Sequence, residues 1–176
     1  MVRGIEIVFK GSASASLSWW ASYVISRAED LIDGVWVRRS WDQRHALTAG
    51  LNLSLPSNWS FSFSGQYHSG WPTTELTAEA VAAGEDEPEI VTTVGPRNAS
   101  SYPAYGRLDL RISKLFPTDR GEFRVYLEIL NLTNRTNVCC TEDFEFEIED
   151  DLSVTVIPEY RSWAPFIPTF GLGWRF

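Results

Sequence analysis

The chain has 176 residues and a formal net charge of −8. That is enough for one ordinary domain, and the acidity excludes a nucleic-acid partner, because phosphate binding needs a basic face. Hydrophobic residues at 44% and charged residues at 22% exclude disorder, while 14% aromatic residues, with eight Trp against one Met, exceed what a soluble core needs and match the lipid–water boundary of a membrane barrel.

Alternation with period two recurs along the chain in segments of roughly ten residues. The first two segments, near residues 2–10 and 15–29, are noisy, since Trp20 and Val24 interrupt the polar face. Leu47, Ala49, Leu51, Leu53 and Leu55 then alternate with Thr48, Gly50, Asn52 and Ser54. Trp59, Phe61, Phe63 and Tyr67 alternate with Ser62, Ser64, Gln66 and His68. Leu108, Leu110 and Ile112 alternate with Arg107, Asp109, Arg111 and Ser113. Phe123, Val125, Leu127 and Ile129 alternate with Arg124, Tyr126 and Glu128, and Phe170, Leu172, Trp174 and Phe176 with Gly171, Gly173 and Arg175.

Tight turns are predicted between residues 10 and 15, at Pro56-Ser57-Asn58 and from Pro117 to Gly121. Long connections are predicted between residues 30 and 43, 72 and 101, and 134 and 163. Strict alternation of short and long connections is what a barrel with periplasmic turns and extracellular loops requires. The predicted fold is therefore all-β: an antiparallel up-and-down transmembrane β-barrel, partial at about seven strands, with long extracellular loops and one extramembrane hairpin. The last strand runs from outside inward and leaves the C-terminus periplasmic. Bacterial single-chain barrels have even strand counts, and Met1-Val2-Arg3-Gly4-Ile5-Glu6 lacks the shape of a secretory signal. Both features predict a fragment whose missing strands lie upstream. No run approaches the ~18 apolar residues of a transmembrane helix.

Thr169-Phe170-Gly171-Leu172-Gly173-Trp174-Arg175-Phe176 resembles the signal that hands outer-membrane barrels to their assembly machinery. Thr169, Gly171, Leu172, Trp174 and Phe176 carry the likeness, and its physical content is an edge strand able to pair by strand addition. A longer resemblance is to TonB-dependent receptors. It rests on Arg3-Gly4-Ile5-Glu6, Trp20-Ala21-Ser22-Tyr23, Ser26-Arg27-Ala28-Glu29-Asp30, Arg39-Ser40-Trp41-Asp42-Gln43-Arg44-His45 and Tyr67-His68-Ser69-Gly70-Trp71-Pro72. Tyr105-Gly106-Arg107-Leu108-Asp109-Leu110-Arg111 and Glu128-Ile129-Leu130-Asn131-Leu132-Thr133-Asn134 follow in the same order.

The resemblance makes residues 1–176 the C-terminal part of such a receptor's barrel domain, without the plug. It implies a bacterial outer-membrane location and uptake of a small solute (a siderophore, cobalamin, a glycan or similar). It also implies partners: membrane lipid and lipopolysaccharide, the barrel assembly machinery, and, through upstream parts, the plug and TonB. In that family, the barrel near twenty-two strands long is wall, and substrate binds on the outer loops and plug.

The residues themselves offer several candidate sites. Arg107, Asp109, Arg111 and Glu128 are predicted to face the lumen as a solvated polar interior or as a charge ladder against a plug. His45 and His68, near the loop ends of adjacent strands, lack a clear third ligand, so no metal or cofactor is expected. The second long connection carries Glu75, Glu79, Glu85, Asp86, Glu87 and Glu89; the third carries Glu142, Asp143, Glu145, Glu147, Glu149, Asp150 and Asp151. These acids read as a solvated loop surface, with Ca²⁺ or cation-bridged lipopolysaccharide as the alternative. Phe144, Phe146 and Ile148, then Leu152, Val154 and Val156, predict a hairpin turning at Asp150-Asp151. Cys139 and Cys140 are adjacent, which leaves a vicinal disulfide or an unpaired couple open. No catalytic constellation is present, so no enzyme activity is expected. Two other readings remain: a self-contained eight-stranded barrel closed by a strand of the acidic hairpin, with a structural or adhesion role, and a soluble β-sandwich binding carbohydrate through exposed Trp.

Overall fold

Side chains that alternate in polarity along an extended chain place their apolar members on one face of a sheet. The computed structural model describes residues 1–81, 88–149, 151 and 153–176. Its strands are, in chain order, β1 (Val2–Ser14), β2 (Leu17–Ile32), β3 (Val35–Arg38), β4 (His45–Leu55), β5 (Trp59–His68), β6 (Pro72–Thr73) and β7 (Leu76–Val81). They continue with β8 (Glu89–Val94), β9 (Ser100–Ser101), β10 (Tyr105–Thr118), β11 (Gly121–Leu130), β12 (Val138–Ile148), β13 (Val154–Ser162) and β14 (Ile167–Arg175). The protein is all-β and antiparallel, and no α-helix occurs among the described residues.

One large sheet dominates, in the order β1-β2-β4-β5-β10-β11-β14, with β3 added beside the far end of β2. Neighbours on that path are hydrogen-bonded and antiparallel, an up-and-down meander. The sheet is open among the described residues: β1 pairs only with β2, and β14 only with β11. The acidic hairpin β12–β13 is a separate two-stranded sheet. It is therefore not the closing strand that a self-contained eight-stranded ring would use.

The register turns the sequence pattern into two chemically opposite faces. One row runs Trp19, Leu51, Phe63, Leu110, Ile129 and Pro168 across six strands. The adjacent row runs Ser18, Asn52, Ser62, Arg111, Glu128 and Thr169. Trp20 does stand on the polar face, in the row of Gly50 between those of Ser18 and Ser22. Its indole lies across its cross-strand partner Gly50, where an added Cβ would come 2.4 Å from Nε1, so the aromatic covers the gap the glycine leaves in the sheet.

The turns and connections differ in detail from expectation. The first turn falls at Ala15-Ser16, after a register shift at Ser12/Ser14, and Pro117 and Thr118 still belong to β10. The first long connection begins later than predicted and is not structureless, because β2 continues to Ile32 and folds back as β3 through Asp33-Gly34, both with positive φ (49° and 81°). That is the left-handed geometry an Asp-Gly hairpin turn demands. The second connection is likewise not structureless: β7 pairs with β8 and β6 with β9. The third holds the hairpin as expected, with Ile148 opposite Val154; Asp150 and Leu152, like Glu85, Asp86 and Glu87 in the second, lie outside the described residues.

Candidate functional site

Among the described residues no second layer of strands is packed upon the apolar face of the meander. Only Ala28 and Tyr105 among the described residues are buried hydrophobic residues, whereas Phe170 is 81% exposed and Leu172 71%. The chain exposes 12092 Å², against roughly 8,700 Å² for a folded monomer of this mass. The excess is what a single-layer sheet with no core produces. Aromatics gather at both ends of this face. Trp59, Phe116, Phe123 and Trp174 lie toward the short turns, with Phe123 6.3 Å from Phe116 and 6.0 Å from Trp174 between ring centroids. Lys114 shares this face, its ammonium 5.0 Å from the Trp59 ring while it donates to the Ser57 carbonyl. Its stem therefore lies along apolar surface with the charge held at the rim. Toward the long connections, Tyr23 and Tyr67 flank Leu47 in register. From Trp59 to Tyr67 the strand covers roughly 26 Å at ~3.3 Å per residue.

The polar face brings the four predicted charged residues together as two ion pairs. Arg107 holds Asp109 at 3.0 Å, and Asp109 accepts a further hydrogen bond from the Asn131 amide at 2.9 Å. Arg111 reaches Glu128 on β11 at 3.6 Å and stacks on the Tyr126 ring, 4.0 Å from its centroid. Around them stand hydroxyls, including a 2.7 Å Ser60–Ser113 contact and Ser22 donating to Glu6 at 2.7 Å.

The structure separates the two histidines. Ala46, not His45, stands opposite His68, so the two rings lie on opposite faces of the sheet. His45 shares a 2.7 Å hydrogen bond with the Tyr23 hydroxyl, and His68 donates from Nδ1 to the Ser69 carbonyl while stacking on Tyr105. With their rings on opposite faces, set by the register between β4 and β5, the two histidines do not share one ligand position. Among the described residues no three His, Cys, Asp or Glu side chains converge as a metal site.

At the long-connection end, buried polar residues fasten the loops to the sheet. Sequence reasoning missed these. Asp42 is fully buried and accepts from the Ala28 amide at 2.6 Å and from Arg38 Nε at 3.1 Å. Asn131 is fully buried, donates to the Arg135 and Ala164 carbonyls and accepts from the Arg135 amide. Asn137 accepts from the Gly106 amide at 2.8 Å and donates back to its carbonyl at 2.9 Å. Asn98 ties the second connection to the first by donating to the Arg38 carbonyl at 2.6 Å. The one legible signal was the Asn131 to Asn134 stretch, whose two asparagines both take positive φ in a turn.

On the acidic hairpin, like charges are neighbours. Repulsion and hydrogen bonding from Glu145, with Asp143 and Glu142 adding, hold the Glu159 carboxyl above its usual range. The Ser153 hydrogen bonds hold Asp151 below its own.

The residues of the C-terminal signal all map to the sheet's edge. Thr169, Gly171, Leu172 and Trp174 lie on β14, paired on one side only, and Phe176 follows, fully exposed. Leu172 and Trp174 share the apolar face, and Thr169 and Gly171 the polar one. Cys139 and Cys140 lie together on β12, unbonded, with sulfurs 2.9 Å apart. No protein-family model matches the chain, and no curated protein matches it.

Proposed function

We propose that the meander is a length of outer-membrane β-barrel wall and that it serves a TonB-dependent receptor taking up a small solute. The observation that carries the wall is the uncovered apolar face, rimmed by aromatics at both ends. In water such a surface drives aggregation; in a bilayer it is the band that lipid chains cover, with Trp and Tyr at the interfaces. The alternation of tight turns with long, hairpin-bearing connections supports the same reading, and so do strands of nine or more residues along the whole meander. A sandwich would need a second layer over that face, and the described residues supply none. In this reading the short turns and Phe176 are periplasmic, the three long connections face outward, and the ion-paired face looks into the lumen. The chain then acts as wall, outer loops and assembly edge, and has no catalytic role.

The wall is tested by refolding the chain into vesicles of bromine-labelled phospholipid and reading Trp emission. Quenching of Trp59 and Trp174, retained in single-Trp variants, is expected, while Trp20 on the opposite face stays bright. A chain that remains monomeric in water without detergent overturns the reading. The receptor assignment, carried by the sequence resemblance, is tested in the host by deleting the gene and assaying uptake of siderophores, cobalamin and glycans. Loss of one uptake, reproduced by deleting TonB, is expected; unchanged uptake of every solute overturns it.

A further inference from the structure

Regular β-structure sends consecutive side chains to opposite faces, which keeps neighbouring sulfurs apart. Cys139 and Cys140 depart from that rule for a visible reason. β12 pairs Val138 with Ser162 and Cys140 with Arg161, so Cys139 is an extra residue with no partner opposite, a β-bulge. The bulge turns both side chains to one side and brings the sulfurs to 2.9 Å. Both cysteines are half-buried, within reach of small solutes.

The bulge also stands between two fastenings. Just before it, Asn137 clamps Gly106 of β10 through both its oxygen and its nitrogen. Just after it, the Thr141 amide donates to the Tyr102 hydroxyl at 3.1 Å, which ties the hairpin to the second connection. Any change in the backbone at Cys139-Cys140 therefore alters how the hairpin is seated on its neighbour.

We propose that Cys139 and Cys140 form a vicinal redox pair, interconverted between dithiol and intramolecular disulfide by exchange with a disulfide donor, and that oxidation locks the seat of the β12–β13 hairpin. In the forward direction one cysteine loses its proton and attacks the donor disulfide, giving a mixed disulfide and one donor thiolate. The other cysteine, deprotonated in turn, attacks the cysteine sulfur of that intermediate and expels the second donor thiolate. The two cysteine sulfurs lose two electrons, the donor gains them, and the two protons end on the released donor thiols. Hydrogen bonding to the Cys140 sulfur, with burial adding to it, holds the Cys139 thiol above the ordinary range, so exchange speeds up as the pH rises.

The test uses the full chain, reduced and then incubated with oxidised glutathione, acid-quenched, alkylated and mapped by mass spectrometry. The expected product carries one disulfide within the peptide that holds both cysteines, and it resists alkylation until reduced. Cys139→Ser and Cys140→Ser each stop at a single glutathione adduct. A trivalent phenylarsenical is expected to bind the reduced chain one to one, with affinity lower by about tenfold or more in either variant. Protease cleavage within residues 131–166 slows on oxidation of the native chain and not of the variants. Two glutathione adducts, disulfide-linked dimers, arsenical binding indifferent to Cys139→Ser, or closure that leaves cleavage unchanged would each overturn the proposal. None of these outcomes depends on whether the sheet lies in lipid.

Discussion

Tyr126 lies flat across its cross-strand partner Gly171, and a Cβ built on that glycine would come 2.0 Å from the tyrosine Cζ. The same ring carries the Arg111 guanidinium on its other contacts, so the glycine seats a stack that ends in the Arg111–Glu128 pair. Gly171→Val should therefore lower the unfolding free energy in detergent by about 1–3 kcal/mol through overpacking. Gly173→Ala is the matched control, since its nearest neighbour would be 4.0 Å away, and it should be close to neutral in the same denaturant titration. Asn131 is the other residue on which much depends. Its side chain serves the Arg135 and Ala164 groups from a fully buried position at φ 53°. Asn131→Ala leaves those groups unpaired and should cost about 1–3 kcal/mol, read as faster proteolysis of the third connection while the sheet keeps its circular dichroism. That Asn131 faces inward was not legible, because an asparagine in a turn has the same sequence signature whether water or protein satisfies it.

The β12–β13 hairpin is two strands with a charged edge, and its stability should respond to pH. Glu159 is held above its usual range by Glu145. A carboxyl raised in the folded state destabilises when ionised, so this group's unfavourable contribution is present at neutral pH and is relieved as pH falls through the folded value. Asp151 has the opposite sign: its Ser153 hydrogen bonds contribute above the ordinary value of 3.8 and are lost as pH falls through the lowered one. Protection of hairpin amides, corrected for intrinsic exchange, should therefore rise from neutral pH toward the mildly acidic range. Glu159→Gln should flatten that rise; an unchanged profile in the variant would refute the account. The hairpin's existence was legible from Phe144, Phe146 and Ile148, whereas β2–β3 was passed over although Asp33-Gly34 is a strong local turn signal. The β7–β8 pair was harder to see, since its alternation rests on weakly apolar Ala78 and Ala80.

At the scale of the whole molecule, the two faces of the meander make opposite demands on one substitution. Leu51 and Asn52 are adjacent, on the apolar and polar faces respectively. In the proposed wall, Leu51→Arg puts a guanidinium against lipid and should cost about 2–4 kcal/mol, while Asn52→Arg should stay within about 0.5 kcal/mol. Denaturant unfolding of both variants in lipid vesicles decides the matter, and equal costs would count against a lipid-facing surface. The open edges at β1 and β14 belong to this scale as well. Among the described residues each leaves a row of backbone groups unpaired, which water tolerates and hydrocarbon does not, so in the proposed wall both edges require strands beside them.

By itself the sequence determined the seven long strands, their up-and-down order and the polarity of each face, because period-two alternation and turn chemistry act within a few residues. Tertiary structure alone decided which polar groups meet. The opposite facing of His45 and His68 depends on register between strands, where a one-residue offset reverses the outcome. The loop clamps at Asp42, Asn98, Asn131 and Asn137 join residues far apart in sequence. The bulge that brings the Cys139 and Cys140 sulfurs together arises from a mismatch between two strands, and neither strand carries it alone.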